Sequence, residues 1–273
     1  MRWVESLPEM PVVEFRDVYV DGKKQDRFRA VVNARTGYIY DIVSDRYEFV
    51  PHEKVIEFTR KIIEDTGLEI LDEEIIFGGK EKARLFYAAI LKDTVVYGDP
   101  LRFGVMVTNS YDRSIGFSAS GYGFRLECMN AMVFGREILK LWAPHTKALV
   151  VNDFKKLEDM IKTVIKGLSE LKDLISAAMR DAISATELAE FIESLGVSKK
   201  LKEKIVRKVK LYTGFDFGEK LDAAMAEKAM INRWKAYNAL TDALTHDTKH
   251  MDALTVYNLQ KKASTLLVTE VER

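Results

Sequence analysis

Four short polar runs and one basic segment hold the residues of this chain that are suited to chemistry. Val43-Ser44-Asp45-Arg46-Tyr47 sets an acid, a cation and a phenol between two extended segments, a composition that also suits a turn with an Asx-type bond and a solvated arginine. Thr108-Asn109-Ser110-Tyr111-Asp112-Arg113 is an unbroken run of hydrogen-bonding side chains at a strand end. Convergent donors beside a carboxylate can hold a phosphate, a base or a metal, and tight-turn chemistry produces the same run. In Phe124-Arg125-Leu126-Glu127-Cys128-Met129-Asn130, Arg125 offers a planar donor fork suited to phosphate. Cys128 is the single cysteine and reads as a small apolar residue, because no neighbouring base or helix start would activate it. The imidazoles of His246 and His250 lie four apart and would share a face if their helix continued, with His145 or a carboxylate to complete a transition-metal site. That motif supplies too few ligands by itself, so no metal and no other cofactor is expected.

Between Ser198 and Lys210 the cations Lys199, Lys200, Lys202, Lys204, Arg207, Lys208 and Lys210 face the single acid Glu203, around an apolar stripe of Leu201, Ile205 and Val209. Such a helix can lay several cations along a phosphate backbone. It can equally be a solvated face that balances acids elsewhere, such as Glu64, Asp65, Glu69, Asp72, Glu73 and Glu74. Lys plus Arg and Asp plus Glu number 42 each, so attraction to nucleic acid would be local rather than a property of the whole molecule.

The elements that must hold these groups follow from hydrophobic period and turn residues. Val12 to Val20 alternates as a strand, turns at Asp21-Gly22-Lys23-Lys24 and resumes at Phe28, Ala30 and Val32, which is hairpin chemistry. Tyr38 to Val43 predicts a third strand, and Pro51 opens a helix with Val55, Ile56, Phe58, Ile62 and Ile63 on one face, ended by Gly67. Leu68–Phe77, Ala83–Leu91 and Leu101–Val107 read as an antiparallel meander, while Ile115–Met132 reads only as strand and loop.

After Pro144 the period changes. Phe154, Leu157, Ile161, Val164, Leu168, Leu171, Ile175, Ala178 and Ala182 form an apolar seam along one long helix; Met160, Ile165 and Leu174 widen it, favouring packing within the chain over an exposed dimer seam. Ser184-Ala185-Thr186-Glu187 has capping-box spacing, Ser198 starts the basic helix, and Thr213-Gly214 ends it. Helical periodicity returns from Glu219 to His246 and from Met251 to Leu267. The expected fold class is therefore α+β, with an N-terminal antiparallel-sheet unit containing one helix (1–149), followed by an all-α region divided into 150–213 and 214–273. On the helix carrying Trp234, Tyr237 and Leu240, the residues Asn238, Thr241, Asp242 and His246 lie beside the apolar stripe. Asn238, Thr241 and His246 are expected to hydrogen-bond to another segment.

Composition narrows the function. Hydrophobic residues make up 47% and charged residues 31% of 273, enough apolar surface to fold. No apolar run approaches a membrane span or a secretory signal, which predicts a cytoplasmic protein with no membrane partner. Two glutamines and seven asparagines beside abundant Lys, Arg and Glu fit a thermophilic source. Walker, Rossmann, zincin and nucleophile-elbow patterns are absent.

Taken in order, Val43–Tyr47 with Val50, Thr108–Asp112, Phe124–Asn130, His145-Thr146, and Trp234–Asp242 with His246 resemble a phage- and plasmid-borne family, the domain-of-unknown-function 932 family. The resemblance spans roughly residues 35 to 260. Arg113 and Pro144 stand where the family usually has a glycine and a basic residue. The resemblance implies carriage on a mobile element and brings no assigned activity. The leading expectation is an accessory protein that binds DNA, such as single-stranded intermediates, without catalysis, and that meets other mobile-element proteins. The alternatives are a metal-dependent phosphodiester enzyme built on Asp45, Asp112, Arg125 and His145, and a structural module that oligomerises through the long helix.

Overall fold

Two consecutive positive φ angles, 49° at Asp21 and 74° at Gly22, make the tight two-residue turn expected of Asp-Gly, and strands β1 (Val13–Val20) and β2 (Lys23–Asn33) pair antiparallel across it. β3 (Ile39–Ser44) adds to the other edge of β2. The computed structural model of the chain describes residues 7–92, 101–125, 130–133, 140–143, 155–217 and 228–268. Helix α1 (His52–Asp65) buries Val55, Ile56, Ile62 and Ile63, and Gly67 closes its C-terminus with φ 76°.

The expected meander is present as β4 (Ile70–Gly78), β5 (Arg84–Leu91) and β6 (Leu101–Ser110); the stretch read as strand and loop, Ile115–Met132, holds β7 (Phe117–Arg125) and most of β8 (Asn130–Val133), and β9 (Lys140–Ala143) follows beyond it. The strand order is β4-β5-β6-β7-β8, with β9 paired to Phe117–Ser120 of β7. At Gly104 in β6, a Cβ would sit 1.9 Å from the Ala89 carbonyl oxygen of β5, so only glycine permits that approach. Arg60 of α1 makes two 2.6 Å bonds to Glu73 of β4, which also accepts from the buried Tyr87 hydroxyl of β5.

Helix α2 (Lys155–Ala178) carries the long seam, and Ile161, Val164, Leu168, Leu171, Ile175 and Ala178 are buried within the chain itself. Phe154 lies outside the described residues. The helix stops before Ala182, because Ala182–Ser184 is strand β10, which pairs antiparallel with β11 (Met230–Asn232). This corrects the expected all-α back region. Ile183 is buried opposite Ile231, and flanking side chains hold the ribbon: Arg233 Nε donates to Asp181 at 2.7 Å and Asn232 Nδ2 donates to the Met179 carbonyl at 2.8 Å. Three-residue strands are too short to show a two-residue period, so the pattern of Ala182-Ile183-Ser184 was indistinguishable from a helix end. The helices and strands are also not segregated along the chain, since the later helices α5 (Arg233–His246) and α6 (Ala253–Ser264) pack on β8.

Between these lie α3 (Ala185–Ser194), with both halves of the Ser184–Glu187 capping box formed, and α4 (Lys199–Thr213), capped by Ser198 and ended by Gly214 at φ 77°. By internal packing the chain forms two compact units. The first is Met1–Lys92, Gly104–Ser120 and Lys140–Lys166; the second is Asp93–Phe103, Gly121–Leu139 and Gly167–Arg273. Among the described residues no helix is long and apolar enough to cross a membrane.

Candidate functional site

In the first unit the motif residues gather around a histidine that sequence reading passed over. His52 is fully buried at the start of α1, where backbone N–H groups lack helical partners. Its own N–H donates to the Tyr111 hydroxyl at 2.8 Å, and its ring stacks on Tyr111 with centroids 4.0 Å apart. Asn109 Nδ2 donates to the Val50 carbonyl at 2.7 Å and meets His52 Nδ1 at 2.9 Å, while His52 Nε2 lies 3.1 Å from the Lys82 carbonyl. An amide NH2 can only donate and a carbonyl can only accept, so the ring is neutral with its proton on Nε2. Flipping the Asn109 amide would set two oxygens against each other at Val50.

The Lys82 carbonyl is where it is because Glu81 and Lys82 are consecutive non-glycine residues with positive φ, 53° and 57°. Each such residue is strained by roughly 1–2 kcal/mol. Both carbonyls of this strained pair are held by buried side chains, Glu81 by the Tyr40 hydroxyl at 2.8 Å and Lys82 by His52. Tyr40, Tyr47, Tyr111, Val31, Val43 and Ala83 share one core, with Phe15, Tyr38 and Phe49 against it. Burial pushes the Tyr40 phenol up to about 12, and the Tyr47 and Tyr111 phenols higher still.

The rest of the run after Asn109 is consumed in a turn. Ser110 Oγ donates to the Ile115 carbonyl at 2.6 Å, Asp112 accepts from the Ser114 N–H at 3.0 Å and from Arg84 Nε at 3.0 Å, and Arg113, at φ 55°, forks onto Asp41. Asp45 and Arg46 are exposed beyond β3, whereas Tyr47 is buried. Arg125 and Asn130 sit in register on β7 and β8. Cys128 and His145 lie outside the described residues, so of the set Asp45, Asp112, Arg125 and His145 the structure describes a solvated Asp45, a turn-bound Asp112 and the strand position of Arg125. Among the described residues no group of three or more His, Cys, Asp or Glu could hold a metal ion.

The second unit carries the closing motif on α5, which packs against α4, α6 and β8 and is buried almost all round. Asn238 and Thr241 are buried as expected, but their bonds stay on their own helix: Asn238 Nδ2 to the Trp234 carbonyl at 2.8 Å, Thr241 Oγ1 to the Tyr237 and Asn238 carbonyls at 3.2 and 3.1 Å. Asp242 does reach another element, accepting from Lys208 Nζ at 2.9 Å and the Tyr212 hydroxyl at 3.0 Å, both on α4. His246 Nε2 stands 3.9 Å from the other Asp242 oxygen. The helix ends at His246, and His250 lies in the exposed turn that follows, so the two imidazoles do not share a helical face.

The basic helix α4 divides its cations by position. Leu201, Ile205 and Val209 are its buried line. Lys202, Lys204 and Lys208 flank that line and are half-buried against Glu193, Asp247 and Asp242. At 3.6 residues per turn, Lys199, Lys200, Arg207 and Lys210 project on the opposite side together with Glu203, and all five are exposed. Lys210 pairs with Asp216.

The fold is thus an α+β architecture in which Asn109, Tyr111 and Asp112 of the first unit and Asn238, Thr241 and Asp242 of the second make contacts within the chain. The family model described as a domain of unknown function (DUF932) matches residues 40–266, and the chain belongs to that family. No curated protein and no solved structure matches it.

Proposed function

We propose that this protein binds nucleic acid through the outward side of α4, without catalysis, as a cytoplasmic accessory factor of a mobile element. The observation that carries this reading is the exposed stripe of Lys199, Lys200 and Arg207, cations with no carboxylate partner among the described contacts. Phosphates spaced along a strand suit cations spaced along a helix, and the attraction is local, as the balanced total charge requires. The other four cations of the helix are paired with carboxylates, which reduces the electrostatic footprint to about three contacts and predicts modest affinity.

The test is titration of labelled single- and double-stranded DNA at several salt concentrations. Three released counterions give a slope of log K against log salt of about −2 on single strands and about −2.7 on duplex. Charge reversal at Lys199, Lys200 and Arg207 together should abolish binding. No binding at low salt, or binding untouched by that reversal, overturns the reading.

A further inference from the structure

The N-terminal sheet of the first unit has two faces of different fate. Val13, Phe15, Val31 and Val43 point into the tyrosine core. On the opposite face the register sets Glu14 against Val32, Arg16 against Ala30, and Ala30 against Ile42, with Phe28 beside Ser44 and Ile39 beside Val32. Ala30 and Val32 are buried in the middle of this outer face, and around them Val12, Phe28, Ile39 and Ile42 are each about half-exposed, at 46, 48, 54 and 49%. Four large apolar side chains around one centre are a patch rather than a scatter, and such patches mark interaction sites.

We propose that this face is the contact through which a second copy of the chain docks, sheet face on sheet face. The charges on the face select that occupant. Its ion pair is Arg16 Nε to Glu14 at 2.6 Å, one base and one acid side by side. A two-fold related copy sets Arg16 against the partner's Glu14 and Glu14 against the partner's Arg16, so the face is complementary to itself. A phosphate backbone would find no net positive charge there.

One edge directs the approach. The Ile42 N–H on β3 is taken by the Asp41 carboxylate at 2.7 Å, and Arg113 covers that carboxylate. The β3 edge is thus blunted against strand addition. Three strands about 4.8 Å apart and six residues of about 3.3 Å rise give a contact of roughly 300 Å² in plan, well below the roughly 800 Å² per partner of a standard interface. The dimer is therefore weak and should form only at high protein concentration. The seam of α2, buried within the chain, is not its interface.

Sedimentation velocity of the full chain from low micromolar to several hundred micromolar tests this. The wild type should move from monomer towards dimer. Ile42→Lys, a change at an exposed position that leaves the core intact, should weaken the dimer at least tenfold. Arg16→Glu should weaken it by apposing like charges, and Arg16→Glu combined with Glu14→Arg should restore it, a recovery that mere loss of folding cannot imitate. A monomer at all concentrations overturns the proposal, as does a dimer insensitive to Ile42→Lys and Arg16→Glu. Nucleic-acid binding lost on Ile42→Lys with no change in mass would assign the face to that ligand instead.

Discussion

Around His52 the buried polar contacts join neutral groups, whereas between α4 and α5 they run through full charges. Asn109, His52, Tyr111 and Tyr40 exchange hydrogen bonds with one another and with backbone carbonyls at the centre of a tyrosine core. Lys208 and Tyr212 instead converge on one oxygen of Asp242 at the rim of a helix pair, where Lys208 keeps 29% of its side-chain surface in solvent and Asp242 only 8%. A neutral network can be fully buried because it leaves no charge to desolvate; an ionic one is tolerated only where a partner keeps some water. The first kind fixes backbone geometry, here two strained residues and a helix start. The second kind fixes which helix face meets which.

The largest separation of the two regions is expected at alkaline pH. Burial raises the phenols of Tyr40 (to about 12), Tyr47, Tyr87 and Tyr111 in the first unit, and that of Tyr237 in the second. A folded value above the unfolded one, about 10, means the folded state binds the proton more tightly. The resulting stabilisation is complete below about pH 10 and is lost as pH rises towards 12 and beyond. The first unit, with more such groups, should open first, as read by hydrogen exchange with residue-level mass spectrometry alongside tyrosinate absorbance. Earlier opening of α4 and α5 would break the comparison.

Next in size is Tyr111. Truncation to alanine removes a fully buried ring and should cost about 3–5 kcal/mol in denaturant unfolding. Tyr111→Phe keeps the ring and removes only the hydroxyl that accepts the His52 N–H, so a loss of about 1–2 kcal/mol is expected, with little dependence on salt. A phenylalanine variant as stable as wild type would show that the helix start does not need this acceptor.

These two regions were unequally legible in the sequence. Asn109 to Asp112 stood out as a polar run, and tight-turn chemistry was among its readings; the structure gives Ser110 and Asp112 that role but turns Asn109 inward. His52 carried no local signal, because Pro51-His52 looks like any helix start and its partner Asn109 is 57 residues away. Glu81 and Lys82 were equally silent, since positive φ without glycine or asparagine is imposed by tertiary contacts rather than preferred locally. On α4 the apolar stripe was plain from its period, but which cations would be pinned depended on carboxylates of α5 and α3 that only the packing brings near. The hairpin at Asp21-Gly22 and the capping box at Ser184 were readable because both are decided within four residues.

The ionic seam should respond more mildly than the neutral core. Asp242→Asn leaves Lys208 without its counter-charge, and because that lysine remains partly solvated the cost should be about 1–2 kcal/mol rather than the 3–5 of a fully buried pair. A double-mutant cycle with Lys208→Met should return a coupling of about 1 kcal/mol that shrinks between low and high salt. Coupling independent of salt would make the seam resemble the His52 network and erase the contrast.

The smallest effect on folding is expected at Glu193, and it is the one that ties the contrast to binding. Glu193 holds Lys202 from α3, but its own side chain is 68% exposed, so the pair is a surface ion pair whose removal should change stability by no more than about 0.5 kcal/mol. Lys202 would then be released at the flank of α4, next to the outward cations. If α4 follows a phosphate backbone, Glu193→Gln should add one released counterion, steepening the single-strand salt slope by about 0.7 and tightening binding at low salt. Glutamine is nearly isosteric and retains the helix, so altered stability cannot account for such a gain. Tighter binding with an unchanged slope would mean that Lys202 does not reach a phosphate, and an unchanged affinity would confine the interface to Lys199, Lys200 and Arg207.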